Sequence, residues 1–553
     1  MTMQRIKRKF NLWNSSTLII LGLYLIFFVY PIGKLFSEAI YDPATQSFTL
    51  ANFIKFFSQR YYFSTIINSF QVTIIATVLT LLIGVPLAYF MSVYLIKGRK
   101  LLQIIIILCS MSAPFVGAYS WILLLGRNGL ITNGLSSLFG ITMPDIYGFK
   151  GVLLVLTLQL FPLIFLYVQG ALANVDNTLF EASENMGCSG IRRFFKIVLP
   201  LVKPTLLAGS LLVFMRAFAD FGTPMLIGEG FRTFPRLIYT EFINEVGSNT
   251  GFAAAISIVA IAVTAIFFLL QRWLSNRNQF SMNALHPLEA KKPKGLTNIL
   301  VHFYIYFVVF LAFAPQLYVF YTSFLKTSGL MFVKGYSLDS YRSAFSRLGN
   351  SIQNTFLIPG IALVIIILLA VFIAYISVRR KNALTATVDG LSMIPYIIPG
   401  SVVGIALLAA FSSGWLPIAG GVAIMVVALV IRRLPYTIRS SVAILQQISI
   451  SVEEAAISLG SSQLKTFFTI TIPMMASGII SGAILSWVTM ISELSTAIIL
   501  YTGRTQTMTI SIYTQVIRGN YGIAAALAAI LSALTVVSLL IFMRISKGKS
   551  ITV

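Results

Sequence analysis

Between Tyr61 and Ile96 the chain carries no Asp, Glu, Lys or Arg, and apolar side chains dominate the stretch. A helix of about 20 residues crosses the ~30 Å hydrocarbon core of a bilayer, so this run is long enough to span one. Lipid offers the backbone no hydrogen-bond partners, which excludes a loop or an open strand there. Other runs read the same way. The expected spans are near 14–36, 64–95, 101–125, 151–174, 204–228 and 251–271, then 299–324, 354–378, 387–412, 417–445, 475–500 and 523–543. Composition agrees: 57% of the 553 residues are hydrophobic and 10% are charged, against roughly 25% charged in soluble domains. The expected fold class is an all-α polytopic membrane protein with about twelve transmembrane helices.

A repeat divides these spans into two sixes. Glu181-Ala-Ser-x-x-x-Gly187, followed by Leu199-Pro200, recurs as Glu454-Ala-Ala-x-x-x-Gly460, followed by Ile472-Pro473. The offset at each landmark is 273 (454 − 181, 460 − 187, 473 − 200). Phe161-Pro162 and Leu434-Pro435 keep it, as do Asp220 and Glu493. A period near half the chain marks a duplicated domain rather than a solenoid. The expected organisation is a first half over 1–275, a linker over 276–297 and a second half over 298–553, with motif segments at 181–200 and 454–473.

Lysine and arginine set the orientation. Arg5, Lys7, Arg8 and Lys9 precede the first span; Lys97, Arg99 and Lys100 follow the second; Arg379, Arg380 and Lys381 follow its counterpart. Arg192, Arg193, Lys196 and Lys465 lie in the motif segments, and Arg272, Arg277, Lys291, Lys292 and Lys294 between the halves. With alternating spans all of these fall on one side, the cytosol, together with both termini. The opposite loops are mixed, with Glu38, Asp42, Lys55 and Arg60 in one and Glu229, Arg232, Arg236, Glu241 and Glu245 in another. The net charge of +24 is therefore a topology signal, and its dispersal over separate loops argues against a nucleic-acid partner. The run from Ser15 to Tyr30 continues into Pro31-Ile-Gly without a small-x-small site, which favours an uncleaved first helix. Two cysteines, Cys109 and Cys188, support no disulfide framework. His286 and His302 lack neighbouring ligands at metal spacing. The stretch 272–295, with its prolines and lysines, reads as a flexible connection, positive-inside in character, with a lipid-headgroup role as the lesser alternative.

Within the second motif, Ser451 reads as an N-cap and Glu454 as its capping-box partner, with Glu453 and Glu454 complementing the helix dipole. Gly460 suits an elbow at positive φ. Beyond it, Leu464-Lys-Thr-Phe-Phe up to Ile470-Thr-Ile-Pro473 reads as a second short amphipathic helix, and 191–200 as its first-half equivalent. A pair of such projections on one side forms a docking surface; the bland alternative is surface helices lying on the membrane.

These motifs resemble the permease signature of ATP-driven, binding-protein-dependent importers of the type I class. The resemblance covers nearly the whole chain, including Ile398-Pro-Gly-Ser-Val-Val-Gly404, and Arg432-Arg-Leu-Pro-Tyr-Thr-Ile-Arg439 with Gln446-Gln447 is similar to the ferric-iron permease group. Thiamine, phosphonate and polyamine permeases are relatives with overlapping patterns. The resemblance implies a subunit of the bacterial cytoplasmic (inner) membrane in which Glu181, Ala182, Gly187, Leu199, Pro200, Glu454, Ala455, Ala456, Gly460 and Pro473 couple to two copies of a cytosolic ATPase. It also implies an extracytoplasmic substrate-binding protein as partner. Ser183 and Asn185-Met186 depart from the pattern, so the two ATPase contacts are not expected to be identical. No Gly-x-x-x-x-Gly-Lys-Ser/Thr loop occurs, so ATP is the partner's cofactor and this chain is expected to bind none and to be no enzyme.

Ionisable residues inside spans are costly and point to function. Arg216 and Asp220, four apart, are spaced to pair along one helix face, and Glu493 takes the place of Asp220 in the second half. Arg432 and Arg433 stand where the first half has Gln159 and Leu160. These five are candidates for the substrate path, attracting either a hard cation through the acids or an anionic chelate through the arginines. As alternatives, each acid lies near the outer interface or locks helices together, and the arginines mark the cytosolic end of the helix or pair with Asp389. A secondary transporter would show an inverted repeat and broken helices, and a membrane enzyme would need a convergent catalytic set that is absent from the sequence. The expected function is a permease for ferric iron, with phosphonate, another phosphorylated compound, thiamine or polyamine as alternatives.

Overall fold

A computed structural model describes residues 12–545 apart from 43–45, 112–113, 189, 244–249, 278–285, 287 and 329–330. The basic N-terminal residues Arg5 to Lys9, and Glu245, lie outside the described residues. Nine described helices are long and apolar enough to cross a membrane: Trp13–Ile40, Arg60–Val93, Phe149–Ala173, Phe194–Phe218 and Thr250–Gln271, then Gly295–Thr322, Asp339–Arg379, Gln463–Ile491 and Tyr521–Ile541. Two bent pairs, Arg99–Ser110 with Phe115–Phe139 and Ala383–Ile397 with Gly400–Phe411, take the third position of each half. Val422–Gln447, which carries Arg432, Arg433 and Arg439, completes the second six. Two-stranded hairpins, Tyr41–Asp42 with Ser47–Phe48 and Leu325–Ser328 with Met331–Tyr336, follow the first helix of each half.

The straight spans expected near 101–125 and 387–412 are instead broken, by 102° and 113°. In the second half the break falls at Ile398-Pro399. Proline disfavours helical backbone in the residue before it, and Ile398 is extended, with φ −75° and ψ 131°. The spans expected to reach 228 and 500 also stop early, at Phe218 and Ile491. Asp220 and Glu493 interrupt the apolar runs there, and short helices Gly222–Ile227 and Ala497–Leu500 follow.

The separate second helix expected in each motif is absent. Gly190–Arg193 and Gln463–Thr466 pass through π-helical turns at Phe194–Val198 and Phe467–Thr471 directly into the membrane helices beyond. Pro200 and Pro473 explain the turns. Each lacks the N–H that would bond four residues back, and the register widens so that Leu199 and Ile472 donate to the carbonyls of Phe194 and Phe467 instead. Helix 463–491 is thus one rod from the motif to the far side.

Each first helix is buried by both halves: residues 30–40 pack on helix 250–277 and helix 295–322 packs on helix 521–545 of the same half, while the rest reaches across. Trp13, Ile20, Tyr24 and Phe28 join the core formed by Ile366, Ala370, Tyr375 and Phe411 of the second half; Trp13 stacks 4.5 Å from Tyr375. Conversely Val301, Ile305, Val308 and Ala312 pack with Val72, Ala76 and Val155 of the first half. The Tyr304 hydroxyl donates to the Ile83 carbonyl (2.9 Å) and Tyr306 to that of Lys97 (3.0 Å). Each first helix thus bridges the two halves.

Inside the second half, helices 422–447 and 463–491 approach closely because Gly478 and Gly482 face the contact. A Cβ on Gly482 would sit 2.5 Å from Thr437 Cα, and one on Gly478 2.8 Å from the Ser440 carbonyl oxygen. Small residues let helix backbones pack and form interhelical hydrogen bonds in lipid. Ser440 donates to the Gly478 carbonyl (2.7 Å), Ser486 Oγ lies 2.9 Å from Thr437 Oγ1, and Ser486 also donates to the Arg433 carbonyl (3.0 Å). Gly482→Val is expected to force these helices apart and destabilise the detergent-solubilised protein by about 1–3 kcal/mol, the usual cost of overpacking. Its thermal unfolding midpoint, set beside that of Ser486→Ala, checks this.

Candidate functional site

Each motif is a short helix closed by its glycine. Asn177–Asn185 is N-capped by Asp176, which accepts from Thr178 N (3.0 Å), and Ile450–Ser458 by Ser449, which accepts from Ser451 N (3.3 Å). Ser449, not Ser451, is therefore the cap, and the capping box expected with Glu454 does not form. Ser449 keeps the 273 offset from Asp176. At the other end Gly187 and Gly460 adopt φ +71° and +89°. Their N–H groups donate to Glu184 O (2.9 Å) and Ile457 O (3.0 Å), and the next residues' to Ser183 O (2.8 Å) and Ala456 O (3.1 Å). This is the paired C-terminal closure that needs a left-handed residue. The spacing of the motif is the spacing of that closure.

Glu181, Ala182, Glu454, Ala455, Pro200 and Pro473 are exposed on these elements; Leu199 and Ala456 are half-buried. Immediately before each elbow stands a large apolar side chain in open solvent, Met186 at 86% and Leu459 at 90% exposure. They too are 273 apart. Exposed apolar side chains in a group mark an interaction surface, and Ile457, Leu464 and Phe468 extend the second group.

The two motif helices are anchored differently. In the second half the buried Glu453 accepts from Arg379 Nε (3.0 Å) and Tyr375 (3.2 Å), while Arg379 also donates to the Ile448 carbonyl (2.7 Å). Its first-half equivalent is Phe180, with the Arg193 guanidinium 4.7 Å from the ring centroid. There Glu184 accepts from Arg193 (2.6 Å) and from Lys291 (2.9 Å) of the linker. The backbone of Lys291 bonds to Val93 and Leu95, and that of His286 to Asp176 and Asn177. The described part of the linker is therefore pinned to the first motif, where free connection was expected. Residues 278–285 lie outside the described residues.

The path candidates meet where the fifth helices end. Arg432 donates to Glu493 Oε1 (2.6 Å) and Thr496 Oγ1 (2.9 Å), Arg433 donates to Glu493 Oε2, and Thr496 N caps Oε1 (3.1 Å). Neither arginine pairs with Asp389, whose partner is Arg439 at 3.5 Å. Arg216 does not pair with Asp220 as its spacing suggested; it lies beside Tyr396 and Tyr436 of the other half and Tyr167 of its own. Asp220 Oδ2 is buried with no hydrogen-bond partner among the described residues. A Cβ on Gly222 would lie 3.6 Å from Leu494, so the segments bearing Asp220 and Glu493 do meet across the pseudo-twofold axis. Gly400, at the break in the third span, lies against Arg432, Ser495 and Thr496 with no room for a methyl group.

Residues 80–279 and 366–550 match the family of binding-protein-dependent transport system inner membrane components. The chain belongs to this family. The ferric transport system permease protein FbpB of Actinobacillus pleuropneumoniae is 29% identical over 539 residues, 96% of this chain and 77% of that one. A second relative, the putative ferric transport system permease protein FbpB 1 of Haemophilus influenzae, is 28% identical over 89% of this chain and 78% of its own. The molybdenum transport system permease protein ModB of Escherichia coli is 31% identical but matches 38% of this chain while covering 92% of its own length. This permease is thus a multi-pass transport subunit, and membership implies an ATPase and a substrate-binding protein as partners in general. Sequence reasoning passed over Met186 and Leu459, although an apolar residue before each elbow at the same offset was a readable signal. It also missed Glu453 as an anchor and the docked linker, for which no local pattern exists.

Two outcomes follow. Removing one partner of a buried ion pair costs about 3–5 kcal/mol, so Glu493→Gln, which strands Arg432 and Arg433, should lower the permease's melting temperature far more than Asp389→Asn. Hydrogen bonds from Lys291 and Arg193 hold the Glu184 carboxyl below the usual range. The linker contact should then be complete above the unfolded value of about 4.3 and be lost as pH falls through the lower folded value. Limited proteolysis near residue 290 at pH 7 and pH 3, with Glu184→Gln as the control already released at pH 7, measures it.

Proposed function

We propose that this permease forms the membrane pathway of an ATP-driven importer of ferric iron, with each motif segment, 181–200 and 454–473, seated in one copy of a cytosolic ATPase. The observation that carries the iron reading is the length of the likeness. Ferric permeases match both halves in one chain, whereas the molybdenum permease matches one half. The halves would divide at 1–275 and 298–553, with the motifs, the linker and both termini in the cytosol, as the distribution of basic residues supports. An extracytoplasmic binding protein would deliver iron to the opposite face, in a bacterial inner membrane. Nucleotide would be bound by the ATPase alone.

The coupling residues have separable roles in this reading. Gly187 and Gly460 close the helix so that Met186 and Leu459 project as apolar plugs, and Glu181, Glu454, Ala182 and Ala455 line the exposed flank beside them. Closure of the ATPase pair would move both motifs. Because helix 463–491 runs unbroken from Gln463 to Ile491, that motion would reach Glu493 without a hinge on the way. Asp220, Glu493, Arg216, Arg432 and Arg433 would form the part of the path that opens and closes.

Gly460→Pro and Leu459→Asp are expected to abolish co-purification of the ATPase and uptake while leaving the protein inserted. Met186→Asp should weaken both. Retention of normal ATPase pull-down by the Leu459 variant would remove the docking assignment. Deleting the permease should eliminate accumulation of radiolabelled iron supplied through this system, and unchanged accumulation would overturn the cargo while leaving the importer reading in place.

A further inference from the structure

We propose that Arg216, Arg433, Tyr396 and Tyr436 form a transit site for an oxyanion, so that iron crosses this permease as an oxyanion-ligated anionic complex rather than as a bare cation. The inference rests on the importer reading above and concerns the chemical form of its cargo.

Charge is the first argument. Three guanidinium groups, Arg216, Arg432 and Arg433, stand within the membrane-length helices near the two ends of the fifth spans, and two carboxylates, Asp220 and Glu493, stand with them. The set carries net positive charge even with both acids ionised. The single carboxylate of Glu493 is shared between Arg432 and Arg433, while Arg216 has phenols as its neighbours. Charge of this kind is retained inside a membrane protein where it lines a polar path or binds something that crosses. A trivalent cation would be repelled here.

Hydrogen-bond polarity is the second. Arg216 lies beside Tyr396, and the Arg433 guanidinium lies 6.0 Å from the Tyr436 ring centroid, so each phenol O–H stands next to a cation. The two rings meet edge to face at 5.5 Å. Arg433 Nε is buried with no hydrogen-bond partner among the described residues. Arginine forks and hydroxyls are the donors that fit phosphate- or carboxylate-type oxygens. All four residues are partly accessible rather than sealed, and Arg216 reaches them from the opposite half. The donor set therefore exists only while the two halves are together, as a gate or transit site requires.

Calorimetry of inorganic phosphate against the purified full-length permease in nanodiscs, paired with radiolabelled iron uptake by the whole importer in cells, tests this. The wild-type protein should bind phosphate. Arg216→Gln should lower both phosphate affinity and iron uptake by about tenfold, and Arg433→Gln should act in the same direction. Arg216→Lys, which keeps the charge, should retain most of both and so serves as the folding control. Iron uptake that is unchanged or raised in Arg216→Gln would overturn the proposal, as would absence of phosphate binding by the wild type. Phosphate binding on which iron uptake shows no dependence would mark an adventitious ion only. Each of these results leaves the importer reading standing, since that reading falls only if deleting the permease spares iron uptake.

Discussion

A single carboxylate, Glu493, shared by two arginines inside an apolar bundle is the interaction on which the rest of this architecture depends. Charges removed from water are costly unless paired and hydrogen-bonded, and the elements around Glu493 supply its partners. Helix 463–491 ends where the carboxylate must turn toward helix 422–447. Thr496 returns a backbone N–H to it, and Thr509 donates to the backbone carbonyl of Glu493 at 2.9 Å. The third span breaks at Pro399 so that Gly400 can lie against Arg432. The close glycine contact at Gly478 and Gly482 brings the two charged helices within reach of one another.

The first half solves the same position without that pairing. Gln159 and Leu160 stand where the arginines are, Asp220 stands where Glu493 is, and Arg216 turns across the axis to Tyr396. The pair of halves is therefore symmetric in backbone and unsymmetric in charge. The motif ends repeat the theme, with Glu453 and Arg379 holding one motif and a piece of linker holding the other. Duplication supplied two copies of a frame, and the copies have divided the polar work between them.

Much of this was legible in the chain itself. Span length, the 273-residue offset and the elbow glycines report constraints that are local or strictly periodic: bilayer thickness, helix closure and the positive φ of Gly187 and Gly460. The Leu/Ile-Pro landmark was visible, but its consequence, a π turn that fuses the motif to the next span, depends on how a lost donor is rerouted. What was misread is non-local. The i, i+4 spacing of Arg216 and Asp220 predicted a pair, and tertiary partners from the other half overrode it. The linker's composition signals freedom, yet Lys291 and His286 find partners more than a hundred residues away. Helix breaks at Pro399 and beyond Phe218 were hidden because hydropathy does not register a change of direction.

The first helices, which bridge the halves, bear on how such a chain is made. Trp13–Ile40 leaves the ribosome long before the core it helps complete, so the part near Trp13 and Phe28 must wait against lipid until residues near Tyr375 and Phe411 are inserted. A covalent link between the halves keeps the waiting partner at high effective concentration. It also fixes the pairing. Two copies of the second half alone would gather four arginines around two glutamates, and two copies of the first would bring two Arg216 and two Asp220. Fusion in one polypeptide makes the unequal pair the only product of translation.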